Sequence, residues 1–296
     1  MSHIRFRMVL AVSMCTAGAT LDAQQPDWDA VQIQTVPVAD GLYILVGRGG
    51  NIGLSVGTDG AFVIDDQYAP LTDKILAAIA AVTDAPVRFV LNTHWHGDHT
   101  GGNESLGAAG ALIVAHENVR RRLNPEQVRD LVGRGQQAPP AALPVITFSD
   151  ELTFYWNSEA LRVVHVAHAH TDGDAIILFE RANAVHMGDV FFNGRYPVLD
   201  RESGGSVQGI IAAVDAVLGM VRPDTRIIPG HGAMGGPAEL RAYRDMLVTV
   251  RDRVITRIGR GMSEDEVVAA NPTADLDAAW GQNAERFVRA VYQSLA

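Results

Sequence analysis

A run of six residues, His94-Trp95-His96-Gly97-Asp98-His99, constrains this sequence more than any other feature. It holds three imidazoles and one carboxylate, follows the apolar run of residues 87–91, and precedes glycines that let the backbone turn. This pattern predicts a loop between a strand and a helix. Imidazole nitrogens and carboxylate oxygens are ligands that Zn²⁺ prefers. The run therefore predicts a metal site.

The spacing within the run indicates two metal ions. His94 and His96 are two residues apart on an extended backbone, so their rings project to the same side and can share one ion. Asp98 and His99 lie beyond the turn and cannot easily converge on that ion. We therefore expect them to bind a second one.

The run resembles the defining motif of the metallo-β-lactamase superfamily of hydrolases. Three later segments extend the resemblance, namely His170-Thr171-Asp172-Gly173-Asp174, His186-Met187-Gly188-Asp189 and Pro229-Gly230-His231-Gly232. The resemblance implies a first zinc bound by His94, His96 and His170, and a second bound by Asp98, His99 and His231. It implies that Asp189 bridges the two ions or binds the second. It also implies the fold, an α/β structure in which two mixed β-sheets form an αββα sandwich flanked by helices.

The order of elements along the sequence agrees with that fold. Short apolar runs at residues 31–36, 42–46, 52–56 and 61–64, separated by turn residues, predict a β-meander. A helix over 70–82, a strand over 87–91, a helix from about 103, a strand over 111–115 and a helix from 116 follow. Further strands are predicted at 145–148, 152–156 and 161–166, and further helices from 206, over 237–259 and from 263. Two sheets with helices outside them fit this order.

Residues 1–23 are typical of a secretory signal. Arg5 and Arg7 precede a mostly apolar stretch, and Ala23 precedes polar residues at a plausible cleavage site. The stretch is shorter than the roughly 20 residues that cross a bilayer. We therefore expect a signal peptide at 1–23, a single metallo-β-lactamase-like hydrolase domain at 24–296 without a membrane span in the mature chain, and a periplasmic or secreted protein.

Cysteine content and charge narrow the classes of ligand and partner. The single cysteine, Cys15, lies in the predicted signal, so we expect no disulfide and no thiolate ligand. This excludes the β-lactamase groups that hold the second zinc with cysteine. The formal net charge is −10, and it becomes −11 without the signal, whose two arginines and one aspartate sum to +1. Such an acidic chain is not expected to bind nucleic acid.

Several polar residues outside the motifs are candidates for supporting roles. Asp65 and Asp66 close a predicted strand, and either could hold a metal-bound histidine in place. His168, Arg195 and Arg201 are candidate substrate contacts, the arginines because a guanidinium pairs well with a carboxylate.

The predicted function is that of an exported dinuclear zinc hydrolase with a small-molecule substrate. Two zinc ions would lower the pKa of a shared water, and the resulting hydroxide would attack a carbonyl carbon. Asp98 would orient that hydroxide as well as bind metal. We expect β-lactamase-like opening of a cyclic amide or ester, because β-lactams act outside the cytoplasm.

Three alternatives remain open from the sequence. A thioesterase of the glyoxalase II type is favoured by Asp189, since aspartate at this position resembles thioesterase and lactonase members more than lactamases. A mononuclear iron dioxygenase acting on persulfides would need only one metal ion. A non-enzymatic zinc-binding module would have closed coordination and no exchangeable water.

Overall fold

The computed structural model of the protein describes residues 26–124, 138–281 and 283–296. The described helices and strands lie within one compact unit, Val31–Ala296. The predicted signal at residues 1–23 lies outside the described residues. None of the helices in the described ranges has both the length and the apolar character that a membrane span requires.

The first sheet has seven strands in sequence order. They are β1 (Gln34–Ala39), β2 (Leu42–Val46), β3 (Ile52–Ser55), β4 (Ala61–Ile64), β5 (Val87–Leu91), β6 (Leu112–His116) and β7 (Ile146–Phe148). Strands β1 to β4 pair antiparallel, which confirms the predicted meander, although β1 begins at Gln34 rather than at residue 31. Strands β4 to β7 pair parallel, so the sheet is mixed.

The second sheet has five strands in the order β12-β11-β10-β9-β8. They are β8 (Glu151–Trp156), β9 (Glu159–His165), β10 (Ala175–Phe179), β11 (Ala184–His186) and β12 (Arg226–Ile228). Strands β8 to β11 pair antiparallel, and β12 joins β11 in parallel. This sheet is therefore also mixed, as the family resemblance implies.

A continuous apolar layer joins the two sheets. Phe62 and Leu91 of the first sheet and Val163 and Ile177 of the second are fully buried in it. The Phe62 ring packs edge-on against Phe154 of the second sheet, with 4.9 Å between centroids. Burial of such side chains contributes about 25 cal/mol for each Å² of apolar surface removed from water, so this layer holds the sheets together.

Helices cover the outer faces of both sheets. They are α1 (Thr72–Ala80), α2 (Gly97–Thr100), α3 (Asn103–Ala108), α4 (Glu117–Leu123), α5 (Val207–Met220), α6 (Pro237–Ile258), α7 (Glu264–Ala269), α8 (Asp277–Trp280) and α9 (Ala284–Leu295). Helices α3 and α4 contact strands β5 to β7, and α5, α6 and α9 form a second core with the outer face of β10 to β12. This is the predicted αββα sandwich.

Local sequence explains where two of these helices begin. The Ser206 hydroxyl accepts a hydrogen bond from the Gly209 N–H at the start of α5. Ser263 and Glu266 form a reciprocal capping box at the start of α7. Such caps satisfy backbone N–H groups that have no partner within the helix. The helix predicted at 70–82 begins instead with a 3₁₀ turn at Ala69–Leu71, followed by α1.

The ends of strands in both sheets meet at one edge of the sandwich. Asp65 directly follows β4, and His94 lies three residues after β5. On the second sheet, Asp189 follows β11 and His231 follows β12 by the same kind of short connection. Side chains far apart in sequence can therefore converge there, which is where α/β folds build their sites.

Truncating Phe62 tests the layer between the sheets. We expect Phe62→Ala to lower the free energy of unfolding by about 3–5 kcal/mol, because it removes buried ring contacts and leaves a cavity. Urea denaturation followed by circular dichroism measures this change. Tyr155→Ala is the matched control, since Tyr155 is 84% exposed on the edge strand β8. Equal losses in the two variants would contradict the assignment of this core.

Candidate metal centre

Three histidines form the first cluster of the centre. His94 and His96 come from the connection between β5 and α2, and His170 comes from the connection between β9 and β10. His94 Nε2 lies 3.1 Å from His96 Nδ1, which lies 2.9 Å from His170 Nε2. Nitrogens bound to one tetrahedral zinc would be about 3.3 Å apart, given Zn–N distances near 2.05 Å. The three nitrogens are therefore spaced to share an ion.

The outer nitrogen of each ring has a partner that fixes its tautomer. His96 Nε2 donates to Asp200 Oδ2 at 2.8 Å, and His170 Nδ1 donates to the Val198 carbonyl at 2.7 Å. His94 Nδ1 lies 3.0 Å from the Thr93 hydroxyl, which itself donates to Asp65. With their protons on the outer nitrogens, all three rings turn lone pairs toward a common point. A cation bound at that point would offset the mutual repulsion of those lone pairs.

The second cluster consists of Asp98, His99 and His231. His231 Nε2 lies 3.3 Å from Asp98 Oδ2, and His99 Nε2 lies 3.7 Å from the same oxygen. The outer nitrogen of His99 donates to Asp65 Oδ2 at 2.7 Å. Of the two candidate carboxylates, Asp65 is therefore the one that positions a histidine. Asp66 accepts a hydrogen bond from the Gly102 N–H instead.

Asp189 lies between the two clusters, and each of its oxygens faces one of them. Oδ1 is 3.2 Å from His99 Nε2 and 3.4 Å from His231 Nε2. Oδ2 is 3.6 Å from His170 Nε2 and 3.9 Å from His94 Nε2. The seven residues predicted from the sequence thus lie around one centre.

Two buried atoms at this centre, His99 Nε2 and Asp189 Oδ1, lie 3.2 Å apart, yet neither makes a hydrogen bond within the described part of the chain. Leaving such groups unsatisfied inside a protein costs about 1–3 kcal/mol each, and more for a charged group. Metal coordination would satisfy both atoms. The donor set, its spacing and these two unpaired atoms all fit a bound metal ion.

Without metal, protons compensate for the carboxylates in part of the centre. Burial disfavours a charged His231, but the carboxylates of Asp189 and Asp98 outweigh that effect and raise its pKa to about 9. Burial likewise opposes ionisation of Asp189, yet His99 and His231 hold its pKa well below the usual range. The pKa of His94 is lowered by burial and by the neighbouring His99. The carboxylates therefore make the electrostatic potential at the second cluster more negative than at the first.

Two amide side chains that were not predicted from the sequence brace the second cluster. Asn51 donates from Nδ2 to the Pro229 and Gly232 carbonyls, at 2.9 Å each, and so clamps the backbone around His231. Gln67 donates to the Gly50 carbonyl at 2.7 Å. Gly50 lies so close to the His99 ring that any side chain there would collide with it. Both amides act across long sequence distances, so no local pattern indicates them.

The residues predicted to contact substrate lie in different surroundings. His168 is exposed, with Nδ1 3.2 Å from the Gly204 carbonyl, and Arg195 is exposed. Arg201 donates to the Gly205 and Gln293 carbonyls, at 2.8 and 2.9 Å, and lines a cavity of about 990 Å³ beside His96. Of the three, Arg201 alone lines that cavity, and there its guanidinium holds backbone carbonyls.

The cavity adjoins the first cluster on its open side. His96, Trp95 and Asp200 form its wall next to the metal centre. Residues of α9, including Arg286 and Arg289, also line the cavity, as does Arg122 of α4. A small molecule in this cavity would lie next to His96 and so next to the metal centre.

Comparison with known proteins identifies the family and some relatives. A model described as "Metallo-beta-lactamase superfamily" matches residues 45–242. A hydroxyacylglutathione hydrolase from Polaromonas sp. strain JS666 is 29% identical over 164 residues, 55% of this chain and 55% of that protein. One from Anaeromyxobacter dehalogenans is 32% identical over 184 residues, 60% of this chain and 59% of that protein. The match spans a little over half the length of these curated relatives.

Solved structures support the fold. A metallo-beta-lactamase from Pontibacter korlensis superposes with a TM-score of 0.60 and 18% identity, covering 73% of this chain and 99% of that one. At this identity the likeness extends to the fold alone. It agrees with the two mixed sheets and outer helices described above.

Metal binding should stabilise the protein more as the pH rises from 6.5 to 9. The pKa of His231 rises from 6.5 to about 9 on folding without metal, so the proton's stabilising contribution is complete below 6.5 and is lost as the pH rises through 9. Metal binding must displace that proton, so metal competes better at higher pH. Melting temperatures with a divalent metal ion and with a chelator, measured across this range, should diverge. A difference between the two melting temperatures that becomes smaller toward pH 9 would contradict this prediction.

Proposed function

The chain belongs to the metallo-beta-lactamase superfamily, and on that premise we propose that it is a dinuclear zinc hydrolase acting on thioesters. One observation carries the proposal: two clusters of donor side chains lie on either side of Asp189. An aspartate with one oxygen toward each cluster suits the bridging of two ions. A pair of bridged metal ions is more typical of a hydrolytic site than of a purely structural one.

The donor set favours zinc in both positions. It consists of five histidines and two aspartates, and zinc binds both types readily at distances near 2.0–2.2 Å. Seven donors exceed the six positions of a single octahedral ion. This supports two metal ions over the single iron of a persulfide dioxygenase.

The centre is closed on one side and open on the other. His94, His99, His170 and Asp189 have side chains no more than 5% exposed. His96, Asp98 and His231 are 24%, 22% and 17% exposed. A structural metal site would be closed on all sides, whereas a catalytic one keeps a position for water. The open side therefore favours an enzyme over a non-enzymatic zinc-binding module.

The zinc ions, once bound, would supply a water whose pKa is lowered toward neutrality and would polarise a carbonyl. The protein's own groups orient the reactants. Asp98 is the accessible carboxylate of the centre, so it is placed to accept a proton from the attacking water and to direct its lone pair. The cavity beside His96 would hold the acyl substrate.

Thioesters are favoured because three of the relatives that align with this chain are named hydroxyacylglutathione hydrolases. The aspartate at position 189 supports the same choice. A cyclic amide or lactone is the second candidate, and the signal-like sequence at residues 1–23 favours it, since export would bring the protein to β-lactams. Both reactions begin with attack of water on a carbonyl carbon.

Replacing Asp98 tests the reaction centre. We expect Asp98→Asn to lower kcat by about 10²–10⁴, because an amide cannot take a proton from the attacking water. Zinc content and melting temperature are measured on the same preparation. Asp252→Asn is the matched control, since Asp252 is exposed on α6 and its carboxylate pairs with the neighbouring Arg251. Turnover that survives intact in Asp98→Asn would refute this role.

A substrate panel separates the two candidate functions. Zinc-loaded protein should hydrolyse a hydroxyacylglutathione with kcat/KM about tenfold or more above that for nitrocefin or a simple lactone. Thiol release and nitrocefin absorbance report the rates. Preference for nitrocefin would support the cyclic amide instead. Failure of every carbonyl substrate with two zinc ions bound would favour the non-enzymatic module.

A further inference from the structure

We propose that Asp200 is the positioning residue of the first metal site: its carboxylate orients the His96 ring and thereby sets the affinity of that site for metal. The inference rests on the proposed dizinc function. It concerns a residue that lies outside the ligand motifs, 104 residues beyond His96 in the sequence.

Asp200 makes the one carboxylate contact among the three outer nitrogens of this site. Its Oδ2 accepts from His96 Nε2 at 2.8 Å, whereas His94 and His170 bond to a hydroxyl and to a backbone carbonyl. Hydrogen bonds to an ionised acceptor are roughly twice as strong as neutral ones. A carboxylate behind an imidazole also makes the opposite nitrogen a better metal ligand. The strongest of these three contacts therefore acts on His96.

His96 needs such a contact more than its neighbours do. The rings of His94 and His170 are buried, so packing on all sides holds their orientation. The His96 side chain is 24% exposed and borders the large cavity. Rotation of this ring toward the cavity would remove Nδ1 from the cluster. The bond to Asp200 opposes that rotation.

The backbone around Asp200 is fixed well enough to hold the ring. The Asp200 N–H donates to the His170 carbonyl at 3.0 Å, and its own carbonyl accepts from the Gly205 N–H at 2.8 Å. Its second carboxylate oxygen accepts from the Ser203 N–H at 3.0 Å. One turn thus ties two ligands of the same site together, His170 through the backbone and His96 through a side chain. Misplacing Asp200 would disturb the spacing of both.

Asp200 also faces the cavity, so a direct contact with substrate is the competing role. The two roles differ in what they predict. A substrate contact changes KM and leaves metal affinity intact. A positioning residue changes metal affinity even when no substrate is present.

Metal affinity of Asp200→Asn and Asp200→Ala decides between these roles. Competition with a chromophoric zinc chelator should show one of the two bound zinc ions weakened about 10–100-fold in Asp200→Ala. Asp200→Asn keeps a carbonyl acceptor of the same size, so its loss should be smaller. Excess zinc should restore part of the lost turnover in both. Cobalt substitution should change the visible absorption bands of only one site.

The adjacent Glu202 provides the control. It lines the same cavity and is exposed, and Glu202→Gln should keep wild-type zinc affinity whatever it does to KM. Wild-type affinity for both ions in Asp200→Ala and Asp200→Asn would overturn the proposal, even if turnover fell. Melting temperatures identify a folding defect, and the isosteric Asn variant then carries the test.

These measurements keep the two proposals separable. If the wild-type protein binds two zinc ions but hydrolyses no substrate, the proposed function fails while the affinity comparison still decides the role of Asp200. If the wild-type protein binds no zinc, the positioning role fails with it. Normal hydrolysis with unaltered affinity in both Asp200 variants would leave the function standing and reject the positioning role alone.

Discussion

The structure depends on an electrostatic conflict that the chain creates at one edge of its sheets. Lone pairs of buried imidazoles and the oxygens of Asp189 and Asp98 point at one another across 3–4 Å. In a low-dielectric interior such groups repel strongly and have lost their water. Protons relieve part of this in the second cluster, as the raised pKa of His231 indicates. In the first cluster, the outer nitrogens of His96 and His170 donate to fixed acceptors, so the lone pairs of their inner nitrogens face one another and a cation would suit the space between them.

Each cluster takes ligands from both sheets. His94 and His96 follow a strand of the first sheet, while His170 follows a strand of the second. The second cluster repeats this division, with His231 alone coming from the second sheet. Metal would therefore cross-link the two sheets at one edge. Away from that edge, the apolar layer around Phe62 packs the sheets together. The packing of the two sheets therefore determines how the ligands at their strand ends are placed around the metal centre.

Sequence patterns could predict the features that are determined by residues close together in the chain. Alternating apolar runs predicted the meander, and the tight spacing of His94 to His99 predicted a metal site, because short-range geometry determines both. The supporting contacts depend on distant segments. Asn51 reaches a carbonyl 178 residues away, and Asp65 could be distinguished from Asp66 only by its contact with His99. Residues such as Asp200 have no local signature, since a strand end or turn carries an aspartate for many reasons.

An open coordination side limits how its ligands can be held. Packing fixes the four inner donors, but the three outer ones must leave space for substrate, so packing cannot surround them. Hydrogen bonds from neighbouring loops replace it: Asp200 holds the His96 ring, Asn51 clamps the backbone around His231, and the Gly50 N–H donates to the Asp98 carbonyl. Each of these contacts comes from a segment remote from the ligand it holds. Access and rigidity can coexist here because hydrogen bonds from remote segments, rather than packing on all sides, hold each of the three outer ligands.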